Sequence, residues 1–139
     1  MNETDLALFL DSFERCVQNE RFIKVFYEIF IGSSEEIAAF FLETDFAKQR
    51  RILKASLYEM VAVSARRSAD TSALSALTQR HLELKIQSHH YELWMQSLIS
   101  AVAECDPYFN PEIARVWCDA FQVGINYMKA AAWEEAARE

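Results

Sequence analysis

Apolar residues recur at three- and four-residue steps along most of the chain. Leu6, Phe9, Leu10, Phe13 and Val17 form one such stripe and predict a helix from about residue 4 to 18. After Asn19-Glu20, a second stripe runs Phe22, Val25, Phe26, Ile29, Phe30 and ends near Gly32, a residue suited to closing a helix. Ser33 and Glu36 stand at capping-box spacing and predict a short helix carrying Ile37, Phe40 and Phe41. Phe46, Leu53, Leu57, Met60 and Val61 mark a longer helix from about Thr44 to Ser64, and the polar stretch from Ala65 to Ser72 reads as a loop. Leu74, Leu77 and His81 continue as a shorter helix that ends before Gln87-Ser88. Tyr91, Trp94, Met95, Leu98, Ile99 and Val102 form a strongly apolar helix stopped by Asp106-Pro107. Asn110-Pro111-Glu112 supplies a capping side chain, a first-turn proline and an acid facing the helix dipole. The helix it opens carries Ile113, Val116, Trp117, Phe121, Ile125 and Met128. The pattern predicts an all-α chain of one domain over residues 1–139.

Composition supports that pattern and narrows the chemistry. Only two glycines and two prolines occur among 139 residues, far too few turn formers for a β-sandwich or barrel. Lys+Arg is 14 against 21 Asp+Glu, a formal net charge of −7, which argues against a nucleic-acid partner. Arg50-Arg51 and Arg66-Arg67 are the only dense basic runs. Cys16, Cys105 and Cys118 are scattered and form no CxxC pair, so free thiols in a reducing compartment are expected. No apolar run reaches membrane-spanning length, and the start Met1-Asn2-Glu3-Thr4-Asp5 lacks the basic beginning of a signal peptide. These features set the expectation of a cytoplasmic protein.

The most informative polar residue is His81, on the same helical face as Leu74 and Leu77. An imidazole on an apolar stripe needs a partner for its nitrogens. One reading is a core histidine bonded to a backbone carbonyl. The other is a metal ligand, and a single histidine suffices only where a cofactor supplies the remaining coordination, as a porphyrin does. A zinc site is disfavoured, because neither HExxH nor CxxC accompanies His81. His89 and His90, at a helix start, are expected to be exposed.

The segment from Arg80 to Tyr91 (RHLELKIQSHHY) resembles the proximal segment of globins, with a histidine, a branched aliphatic five residues on and an aromatic ten residues on. Phe26-Tyr27-Glu28-Ile29-Phe30, then Glu36-Ile37 and Phe41, is similar to the second helix and its corner in bacterial haemoglobins. Phe46, Gln49, Leu53 and Leu57 repeat the spacing of their distal helix, and Trp117 with Phe121 matches the start of their final helix. The resemblance implies a globin fold, a three-on-three helical sandwich enclosing haem b. His81 would be its iron ligand, and Phe41, Phe46, Leu53, Leu57, Leu77, Ile86, Tyr91 and Trp94 would line its pocket. Phe46, Leu53, Leu57, Leu77, Ile86 and Trp94 could equally be plain core, and for Phe41 simple core packing is the alternative to porphyrin contact. Tyr27 and Gln49 would face a ligand on the distal side, although a solvated Gln49 is an open alternative. Tyr91 matches a tyrosine that orients the ligating histidine, while the glutamate that accompanies it in those relatives is Ala132 here.

The leading expectation is therefore a globin that reversibly binds dioxygen or another diatomic gas, with no catalytic residues of its own. An alternative is a nitric-oxide dioxygenase served by an external reductase, since no flavin or nicotinamide domain is present in the sequence. A third is a globin-fold sensor or interaction module. The stripe on the final helices suits either the core or a homodimer interface.

Overall fold

The computed structural model describes residues 1–64 and 72–138. Among them are seven helices and no strand: α1 (Glu3–Gln18), α2 (Phe22–Gly32), α3 (Glu35–Phe40), α4 (Phe46–Ser64), α5 (Ser72–Glu83), α6 (Ser88–Cys105) and α7 (Pro111–Arg138). The loop expected at 65–72 lies outside the described residues, apart from Ser72, which opens α5. No helix among the described residues is long and apolar enough to cross a membrane.

Local side chains explain where the helices begin. The Asn2 carboxamide accepts from the Asp5 amide at 2.7 Å, and the Asn110 carboxamide accepts from Ile113 at 2.8 Å ahead of Pro111. The cap of α3 is Ser34, not Ser33: its hydroxyl accepts from the Ile37 amide at 3.1 Å. Ser33 is the C-cap of α2 and donates its hydroxyl back to the Phe30 carbonyl. Glu36, expected to complete a box with Ser33, turns instead toward His89 and His90 on α6. Asp45 accepts from the Lys48 amide at 3.3 Å, so α4 starts at Phe46, two residues after Thr44.

The end of α5 has its own device. The Ile86 amide bonds the His81 carbonyl and the Lys85 amide bonds the Leu82 carbonyl, both at 3.1 Å. These are the two bonds of a Schellman ending, with Lys85 in the left-handed position at φ 57°. A lysine therefore occupies a conformation that glycine usually takes, while neither glycine of the chain has a positive φ.

The helices pack mainly as α2 on α6 and α7 on both α1 and α4. Trp117 is fully buried at the centre of an aromatic cluster, with Phe9 edge-on at 5.2 Å and Phe121 stacked at 5.6 Å. Its indole N–H donates to Ser12 at 2.8 Å, and Ser12 in turn donates to Asp106. Arg15 adds a two-pronged ion pair to Asp106 at 2.8 and 2.9 Å. This clamp joins α1, the end of α6 and α7. Cys16 and Cys105 are buried, Cys118 is half-buried, and all three are free thiols.

Candidate functional site

A cavity of about 590 Å³ opens among α2, α3, α4, α5 and α6, with Ile125 and Met128 of α7 completing it. Tyr27, Phe41, Gln49, Leu53, Leu77, His81, Ile86, Tyr91 and Trp94 all line it. Two expected residues do not. Phe46 packs behind the wall, 5.9 Å from the Tyr27 ring and 6.1 Å from that of Phe41. Leu57 is fully buried in the core and does not reach the cavity, although Leu53, Ser56 and Met60 of the same helix line it.

Tyr27 and Gln49 meet. The Gln49 amide donates to the Tyr27 oxygen at 3.1 Å, so the hydroxyl's own hydrogen is free to point elsewhere. Burial pushes the Tyr27 phenol up to about 12, outweighing the opposite pull of the Gln49 bond. Tyr27 is therefore a neutral donor at ordinary pH.

His81 sits in the last turn of α5, with its carbonyl held by the Schellman bond and its ring in the cavity wall. Its Nδ1 lies 3.2 Å from the Tyr91 hydroxyl, and no described residue hydrogen-bonds its Nε2. Burial pushes this imidazole down to about 4, so the ring is neutral at ordinary pH. With its proton on Nδ1, donated to the Tyr91 oxygen, the ring leaves the Nε2 lone pair free for a metal. Burial alone holds the Tyr91 phenol up at about 12. No carboxylate of a described residue bonds the His81 ring.

A second histidine lines the cavity, contrary to expectation. His89 is exposed, but His90 is buried at 4% exposure because α3 docks over the start of α6. The Gln87 amide donates to His90 Nδ1 at 2.8 Å, which places the neutral ring's proton on Nε2. That proton faces Glu36 at 3.4 Å. Glu36, His89 and His90 bring their ligand atoms within 4.8 Å of one another, yet His90 has no lone pair to offer a metal. Hydrogen bonds from His89, then His90, hold the Glu36 carboxyl below its usual range. Sequence pattern also gave no sign that Lys48, Arg80, Thr44 and Asp45 line the same cavity. Lys48 and Arg80 bring positive charge to its wall.

The family model for globins matches residues 23–128, which include every residue that lines the cavity. The chain belongs to the globin family. Among solved structures, this globin is similar to a Pseudomonas aeruginosa PAO1 protein described as structurally highly homologous to a human haemoglobin. The two share 32% identity, covering 91% of this chain and 96% of the other, with a TM-score of 0.84. No curated protein matches the sequence.

The residues present fit the prosthetic group that globins bind. The cavity walls are predominantly aromatic and aliphatic, as a flat apolar macrocycle needs. Lys48 and Arg80 suit a ligand bearing carboxylates. The donor set is selective as well: His81 has a nitrogen to spare, whereas both nitrogens of His90 are committed within the protein.

Proposed function

We propose that this globin holds haem b in the cavity through His81 and reversibly binds dioxygen or another diatomic gas beside Tyr27 and Gln49. The observation that carries the reading is the uncommitted Nε2 of a neutral histidine in the cavity wall. Haem, when bound, supplies an iron that takes one protein nitrogen and one exogenous ligand. The chain does the rest. Tyr91 fixes the ring plane and tautomer of His81 through Nδ1. Phe41, Leu53, Leu77, Ile86 and Trp94 line the cavity with apolar side chains and would exclude water from around the bound group. Tyr27, with its oxygen already bonded to Gln49, directs its hydrogen toward a ligand carrying partial negative charge.

Nitric-oxide dioxygenation served by an external reductase is the second reading, favoured by the same Tyr27–Gln49 pair. The absence of a bonded carboxylate on the His81 ring, among the described residues, leaves that ring less electron-rich and favours gas binding over oxygen activation. The test is the visible spectrum of the purified protein after adding hemin, reduced with and without carbon monoxide. A stoichiometric Soret band that shifts with carbon monoxide, and is lost or altered in His81→Ala, is the expected result. No haem uptake by a folded wild-type protein would refute the reading.

A further inference from the structure

On the far side of Tyr91 lies a second cavity, of about 220 Å³, between α6 and α7. The two helices are joined by a short connection and run antiparallel, with Trp94 packed on Phe121 at 5.9 Å. The floor of this cavity is apolar: Tyr91 and Met95 come from α6 and Ile125 from α7. Tyr91 and Ile125 also line the first cavity, so their side chains form a wall common to both. The rim is polar and carries both signs of charge. By the antiparallel register, Glu92 and Lys129 stand at the Tyr91 end, and Gln96 and Gln122 at the Met95 end. The Gln122 carboxamide is held by Asn126 at 2.8 Å. The side chains of Glu92 and Lys129 make no ion pair with each other or with any described residue, and that of Gln96 makes no hydrogen bond to one. Two opposite charges that neither close on each other nor find a partner, set over an apolar floor, suit a molecule that carries both.

We propose that this second cavity binds a small zwitterion, an α-amino acid with an unbranched apolar side chain, and that the ligand bears on His81 through Tyr91. Lys129 takes the carboxylate and Glu92 the ammonium, two groups that an α-amino acid carries on a single carbon. The ligand's side chain lies along Met95 and Ile125. A simple carboxylic acid meets Glu92 with like charge, and a simple amine meets Lys129 in the same way, so each is disfavoured. The Tyr91 hydroxyl lies 3.2 Å from Nδ1 of His81. A molecule pressed against the other side of Tyr91 therefore acts on the group that fixes the imidazole's tautomer and ring plane. Nothing in this binding depends on haem.

The probe is L-norleucine, titrated calorimetrically into the haem-free full chain. Binding with a dissociation constant on the order of 1 mM is expected. The comparison proteins are Glu92→Gln and Lys129→Gln, whose native side chains hold nothing together within the described fold. Each should bind about 10-fold more weakly, with an unchanged helical circular dichroism spectrum. Hexanoate and pentylamine, which keep the apolar chain and one charge each, should bind wild type as weakly as the variants bind L-norleucine. No binding of L-norleucine overturns the site. So does equal affinity for either single-charged analogue, or equal affinity in the variants. In isotope-labelled protein, the ring-nitrogen resonances of His81 should shift on saturation of wild type, and should stay in place in Lys129→Gln at the same concentration. A His81 ring that does not respond to bound L-norleucine overturns the link through Tyr91. Because haem takes no part in these titrations, their failure leaves the functional reading standing, and failure of haem uptake leaves the second cavity to be decided by them.

Discussion

Two polar regions of this globin are built on opposite terms. In the clamp between α1, the end of α6 and α7, the buried polar groups are spoken for: Trp117 to Ser12, Ser12 and Arg15 to Asp106, and the Tyr108 amide to Asp106 at 2.9 Å. In the cavity, the Nε2 of His81 and the hydroxyl hydrogen of Tyr27 are left open while their other sides are fixed. Full satisfaction makes a structural joint. Half satisfaction makes a binding site, because an oriented group with capacity to spare prefers an incoming partner.

The largest effect should come from breaking the clamp. Asp106→Ala leaves a buried hydroxyl and a guanidinium without their acceptor, and should lower unfolding free energy by about 3 kcal/mol in urea denaturation. Haem uptake by the variant's folded fraction should be unchanged, and a matching loss of uptake would erase the distinction between the two regions.

Acid separates them again. Burial pushes the Asp106 carboxyl up, but hydrogen bonds from Arg15 and Ser12 and the Arg15 charge overcome that and leave it below 3.8. Its contribution is therefore present above the ordinary carboxylate range and lost as pH falls through the lowered folded value. His81 acts earlier. Its folded value near 4 lies below the ordinary 6.5, so the unfolded chain takes up the proton first. Stability of the haem-free protein should fall as pH drops from about 6.5 to 4. His81→Gln should flatten that window in pH-dependent denaturation, and Asp106→Asn the more acidic one.

A smaller effect is expected on the cavity side. Tyr27→Phe removes one hydrogen bond to a bound ligand and should speed ligand dissociation from the haem-loaded protein about 10-fold, equivalent to ~1.4 kcal/mol. Flash photolysis or stopped flow checks it. An unchanged rate would mean that the open hydrogen is not used. The smallest is Lys85→Gly, which relieves a left-handed lysine and should raise stability by about 1 kcal/mol with no spectral change.

Much of the frame was legible because it is local. Period, capping residues and proline place α1, α2, α6 and α7 within a residue or two, and Asn110-Pro111 act as their residue types dictate. The capping serine of α3 was misplaced by one, since Ser33 and Ser34 both offer a hydroxyl and only the chain's exit angle from α2 decides between them. His90 read as exposed because its burial depends on α3 docking over it, a contact 54 residues away in sequence. Leu57 and Leu53 occupy one face of α4, yet only Leu53 reaches the cavity; a helical stripe cannot tell an opening from a packed interior. The Tyr27–Gln49 bond is likewise tertiary, joining α2 and α4.

The clamp has a consequence for maturation. None of Ser12, Arg15, Asp106 and Trp117 lines the cavity, so closing the joint among α1, α6 and α7 needs no contact with a group bound there. On the proposed function, such a chain would be a pre-assembled receptor, and the timing of its activation would pass from synthesis of the chain to supply of the cofactor.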